Sequence, residues 1–176
     1  MLCIKCKKKE PCIRLKHLGP LCNNCFCTII EKRIRKHIRI NKIFKKNDNI
    51  LVIGDLCHYL VKKIIKDLPV KIIKTKKIKR TKGYKVVIPW TLDDETNCFL
   101  NEILSKGKTK ARESAYIRLL ENITDEEALL FSKLKGISFK PKKKNKDIKS
   151  ILDQLEERYP ETKFSLLKSI NQIKRL

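Results

Sequence analysis

The sequence predicts an α/β domain on a mostly parallel sheet, preceded by a metal-binding knuckle and followed by a pair of helices. Three observations carry this. Ile50, Leu51, Val52 and Ile53 form a short, continuously apolar run, as a strand buried on both faces does, and Tyr59, Leu60, Ile64 and Ile65 then return at helical spacing. Cys3-x-x-Cys6 and Cys22-x-x-Cys25 frame the first 25 residues. Ile148, Ile151, Leu152, Leu155 and Tyr159 make one amphipathic helix stopped by Pro160, and Phe164, Leu167 and Ile170 begin another.

Each element has its own logic. In the first 25 residues, two Cys-x-x-Cys pairs separated by 15 residues aim four thiolates at one point, the donor set of a closed tetrahedral zinc site. Gly19-Pro20 supplies the turn that returns the chain. The ligands are therefore Cys3, Cys6, Cys22 and Cys25 and the metal zinc; Cys12 and Cys27 could stand in for one of them, and an iron–sulfur cluster uses four thiolates too. Eight cysteines in a chain whose first residues lack an apolar leader fit a reducing, cytoplasmic setting better than a disulfide scaffold. No stretch approaches the roughly 20 apolar residues of a membrane span.

Next comes "CFCTIIEKRIRKHIRINK". Phe26, Ile30, Ile34 and Ile38 give one apolar stripe, while Lys32, Arg33, Arg35, Lys36 and Arg39 occupy the remaining faces. Such a helix can pack on a core and present guanidinium groups to phosphates. The strand at 49–53 then feeds a turn, Gly54-Asp55-Leu56-Cys57-His58, that sits where a phosphate-binding loop would, with one glycine and an acid. Residues 70–90 read as a basic hairpin, two strands around Lys82-Gly83, with eight basic and no acidic residues from Lys71 to Lys85; Lys76, Lys77, Lys79 and Arg80 are candidate phosphate contacts. Thr91 with Asp94 reads as helix-start chemistry, and Thr124 with Glu127 as a capping box closed by Gly136.

The charge is uneven. Of a net +24, residues 1–48 hold 14 basic and 3 acidic side chains and residues 49–91 hold 11 and 2. A solubilising surface would spread the excess, so a polyanion is the implied partner. The implied divisions are a knuckle at 1–27, a basic linking helix at 28–48, an α/β domain at 49–146 and a helical segment at 147–176.

The two Cys-x-x-Cys pairs, the second leading into Phe26, and the Glu31-Lys32-Arg33-x-Arg35-Lys36 run resemble the start of the tRNA 2-thiouridine synthetases. These are the TtuA-like and cytoplasmic tRNA 2-thiolation proteins of the PP-loop ATPase superfamily. "LDDET" (Leu92 to Thr96), "ITDEEALLFSKLKGISF" (Ile123 to Phe139) and "LEERYPETKFSLLKSI" (Leu155 to Ile170) are similar to later segments of that family. The resemblance implies a reduced PP-loop domain (Rossmann-like, HUP-type), tRNA as partner, and an active synthetase subunit in a homo- or heterodimeric complex. Where the family carries Ser-Gly-Gly-x-Asp-Ser, this chain has Ile53 to Leu60 without the paired glycines or serines, and beyond the first 27 residues only Cys57 and Cys98. The expectation is therefore a shortened member with a degenerate loop, catalytically inert and not an enzyme. Two other readings are an independent nucleic-acid-binding zinc protein and a synthetase subunit that completes a shared ATP site.

Overall fold

A computed structural model describes residues 2–76, 82–106 and 116–173. The elements in chain order are β1 (Ile13–Leu15), β2 (Gly19–Leu21), α1 (Asn23–Ile40), β3 (Asn49–Ile53), α2 (Asp55–Ile64), β4 (Lys71–Thr75), β5 (Tyr84–Thr91), α3 (Leu92–Lys106), β6 (Tyr116–Leu120), α4 (Asp125–Lys135), α5 (Lys146–Arg158) and α6 (Thr162–Ile173). They form two compact units: Met1–Ile30 with Leu92–Arg112 and Lys142–Leu176, and Glu31–Thr91 with Glu113–Pro141.

In the first unit, β1 and β2 make a three-residue antiparallel hairpin, with Ile13 opposite Leu21 and Leu15 opposite Gly19. Gly19 is required there: its φ is +69°, and a Cβ would stand 3.1 Å from the Ile4 Cδ1. A ladder this short cannot hold itself together in water. Helices α3, α5 and α6 pack on one another, burying Ile148, Leu152, Leu167 and Ile170. Each is worth roughly 1.5–3 kcal/mol of transfer free energy. Polar contacts fix the register. Asn97 Nδ2 donates to the Asn145 carbonyl and the Asn145 N–H returns a bond to Asn97 Oδ1, both at 3.1 Å. Asn145 also caps α5, accepting from the Asp147 N–H at 3.0 Å.

The second unit holds a four-stranded sheet of order β4-β3-β5-β6, with every pairing parallel. Val86, Val87 and Ile88 on β5 are buried in succession, as a central strand covered on both faces must be. Helix α2 packs on β3 and β5 through Leu56, Cys57, Leu60 and Val61. The α/β expectation holds. The hairpin expected around Lys82-Gly83 does not form: β4 and β5 each pair with β3 instead, on its two sides. Their basic, turn-flanked sequence suits a hairpin, but β3 offers its whole apolar length to both, and burying Ile50 and Val52 between them is the stronger interaction. The capping box is as expected: Thr124 Oγ1 accepts from the Glu127 N–H at 3.1 Å, Glu127 Oε2 accepts from the Thr124 N–H at 3.0 Å, and Gly136 ends α4 with φ 63°.

Candidate metal centre and nucleic-acid interface

The four knuckle cysteines come together. The chain tightens after Cys3, where the Lys7 N–H donates to the Cys3 carbonyl and the Cys3 N–H to that of Lys9, both at 2.9 Å. Lys7 takes the left-handed conformation, φ 53°, that such a turn requires. Cys22 follows β2 directly and Cys25 lies in the first turn of α1. The ligand atoms of Cys3, Cys6, Cys22 and Cys25 all lie within 4.8 Å of one another. The Cys6 and Cys22 sulfurs are 3.9 Å apart, against about 3.8 Å for the edge of a tetrahedron with metal–sulfur bonds of about 2.3 Å. Cys12 and Cys27 are not part of this group.

The electrostatics ask for a cation. Backbone N–H groups, that of Cys6 first, pull the Cys3 thiol down to about 6. The Cys6 thiol is also lowered, chiefly by the Lys8 N–H. Desolvation and the neighbouring sulfurs push Cys25 up to about 12. Four thiolates in one small space repel one another, and a bound metal ion removes that penalty. The cluster is a metal-binding centre built from four cysteines.

Helix α1 continues directly from this centre. Lys32, Arg35, Lys36 and Arg39 are all exposed, and their spacing of i, i+3, i+4, i+7 puts them on one face. Ile30, Ile34 and Ile38 are buried on the other side. Arg33 is turned elsewhere: its Nη1 lies 2.7 Å from Glu127 Oε1, a carboxylate with no exposed surface. Lys76 is exposed past the end of β4, while Lys77, Lys79 and Arg80 lie outside the described residues. Within the same basic stretch, Lys74 pairs with Asp55. Lys85 donates to the Ile43 carbonyl and to Asp48 Oδ2, both at 2.7 Å. Burial would raise the Asp48 carboxyl, but hydrogen bonds from Lys85 and the Lys45 N–H outweigh it and hold it below the usual range.

At the loop position, Gly54 joins β3 to α2 with φ 82° and ψ 152°, a conformation that suits only glycine. Asp55 opens the helix, held below the usual carboxylate range by Lys74. The acidic turn of α3 is paired as well. Lys163, buried, lies 2.8 Å from Asp93 and 2.7 Å from Glu156, and Lys144 lies 3.0 Å from Asp94. Thr91, expected as a helix cap, donates from Oγ1 to Asp125 at 2.7 Å. Sequence reasoning missed Lys144 and Lys163, because a buried lysine has the same letter as a solvated one. It also passed over Lys5, Lys7, Lys8 and Lys9, all exposed on the knuckle, although the run "KCKKKE" displays them.

No family model matches the chain, and no curated protein does. A solved structure does: the U34-tRNA thiolase NcsA from Methanococcus maripaludis with its [4Fe-4S] cluster, at a TM-score of 0.74 and 16% identity, over 99% of this chain and 87% of that one. The likeness fixes the fold. It also overturns the expectation that this chain is not an enzyme, since the fold shared over nearly its whole length is one that a catalytic thiolase uses. Nothing in the match singles the chain out as a shortened or degenerate member. The physical reason is that backbone donors at a strand–glycine–helix junction persist when side chains change. Here β3, Gly54 and α2 keep that junction.

Among the described residues, one group of metal-binding side chains forms, the four knuckle thiols. Four thiolates are the donor set of a single zinc ion and of an iron–sulfur cluster alike. No helix among the described residues is long and apolar enough to cross a membrane.

Proposed function

We propose that this chain is a cytoplasmic, tRNA-binding subunit of a tRNA 2-thiolation complex. It holds a structural zinc at Cys3, Cys6, Cys22 and Cys25 and works beside a synthetase subunit to make 2-thiouridine. Its working parts are a zinc knuckle at 1–27, the linking helix at 28–48, a PP-loop-like domain at 49–146 and the helical segment at 147–176. The observation that carries the reading is the exposed face Lys32, Arg35, Lys36 and Arg39 on a helix whose first turn supplies a metal ligand. Ile34 and Ile38 hold that helix on the core of its own unit, so the guanidinium groups are oriented before RNA arrives and docking costs less entropy. Lys76, and the sequence run through Lys77, Lys79 and Arg80, adds further phosphate contacts.

The test is tRNA affinity across a salt series. Neutralising phosphates releases counterions, so binding weakens steeply with salt. Arg35→Ala with Arg39→Ala lowers affinity and reduces the slope by about one for each phosphate left without its cation, with folding intact because both side chains are exposed. Unchanged affinity and slope would assign this face to a protein partner and sink the reading. Purification from native cells brings down tRNA and a thiolation subunit.

A further inference from the structure

Strand β4 is an edge of the sheet. It pairs with β3 on one side, and among the described residues no strand pairs with it on the other. The Lys71 N–H donates to the Asp48 carbonyl at 3.0 Å, so this residue turns its polar backbone toward β3. Successive residues of a strand alternate. Ile73 and Thr75 therefore face β3 as well, while Ile72 and Lys74 direct their N–H and C=O groups outward. The side chains along that edge are apolar at the centre and basic at the ends. Ile73 is 36% exposed, and Lys71 and Lys76 are exposed on either side of it. The acids nearby are engaged elsewhere, Asp55 with Lys74 and Asp48 with Lys85.

We propose that β4 accepts an extended acidic peptide segment of another protein as an added strand. The outward N–H and C=O groups of Ile72 and Lys74 supply the ladder, and Ile73 gives an apolar side chain of the peptide something to pack on. Lys71 and Lys76 select carboxylates over other strands. Charge argues against a second copy of this chain in the same place. Antiparallel pairing about Ile73 sets Lys71 of one copy beside Lys76 of the other, and parallel pairing sets each lysine against itself. An RNA backbone meets the lysines, but its phosphates carry no donor for the outward carbonyls of Ile72 and Lys74. An acidic strand satisfies both. The proposal goes beyond the tRNA reading and does not depend on it.

The test uses the nuclease-treated, metal-loaded chain and a capped, fluorescent octapeptide of alternating glutamate and valine. Anisotropy shows saturable binding at submillimolar concentration that weakens with salt. The same peptide methylated at every amide nitrogen keeps its charges and binds on the order of tenfold more weakly, because it has no donors for the edge. A peptide of alternating lysine and valine does not bind. On the protein, Lys74→Ala keeps the outward N–H and Lys74→Pro removes it, so the proline variant binds on the order of tenfold more weakly than the alanine variant. Proline is tolerated where an edge strand turns its N–H to solvent, and far-ultraviolet circular dichroism confirms that both variants fold. The methylated peptide gives the same discrimination without any change to the protein. No saturable binding at millimolar peptide overturns the proposal, as does a lysine peptide that binds as tightly as the glutamate one. Equal binding of the methylated peptide, or equal affinity of Lys74→Ala and Lys74→Pro, overturns it too, and leaves an edge that reads charge alone, as a site for RNA does.

Discussion

Replacing Arg33 by alanine separates an ion-paired arginine from its solvent-facing neighbours. Arg33 Nη1 sits 2.7 Å from Glu127 Oε1; the arginine side chain is 26% exposed and the glutamate 0%. Removing the guanidinium breaks a partly buried ion pair, which costs about 3–5 kcal/mol when the remaining charge keeps no other partner. Here one does: the Thr124 N–H still donates to Glu127 Oε2 at 3.0 Å, so the lower end applies, about 3 kcal/mol. For a chain of this length that lowers the melting temperature by about 6–12 °C. Thermal unfolding of the metal-loaded protein measures it. Adding Glu127→Gln removes the buried charge and keeps the shape, so Arg33→Ala with Glu127→Gln is more stable than Arg33→Ala alone. Below its transition, Arg33→Ala binds tRNA like the wild type. A variant with unchanged melting temperature and diminished tRNA affinity would show that this guanidinium serves the RNA and refute the assignment.

Elemental analysis of anaerobically purified protein gives one zinc per chain, and Cys22→Ser loses it together with the knuckle's protease resistance; stoichiometric iron with visible absorption would contradict the zinc proposal. His37 supplies a pH signature: burial lowers its pKa, and Nδ1 faces the amide nitrogens of Asn41 and Asn122 at 3.1 and 3.0 Å, so it folds neutral. The unfolded chain then takes up the proton first, and stability falls as pH drops below about 6.5; the difference between wild type and His37→Gln isolates this slope. Gly136→Ala meets nothing within 4 Å, so its cost in denaturant melts is the left-handed backbone alone, about 1 kcal/mol.

What the sequence determined by itself is local. The Cys-x-x-Cys spacing, the Phe26–Ile30–Ile34–Ile38 stripe and the Thr124–Glu127 box depend on contacts a few residues apart or on one donor set. Chain geometry alone brings those together. The strand at 49–53 was legible because its apolar residues run in a row, although only Ile50 and Val52, on alternate positions, are buried. Tertiary structure decided the pairings of distant charges. Arg33 and Arg35 are the same letter two positions apart, yet one closes an ion pair with a residue 94 positions away while the other faces solvent. Lys144 and Lys163 looked like two more solubilising lysines until Asp94 and Asp93 were set beside them. Strand order was equally hidden: β4 and β5 follow each other closely in sequence, and only the apolar length of β3 between them chose parallel pairing over a hairpin. A one-dimensional pattern records which faces a helix or strand has. Which partner satisfies a buried charge is set by distance, and distance exists only after folding.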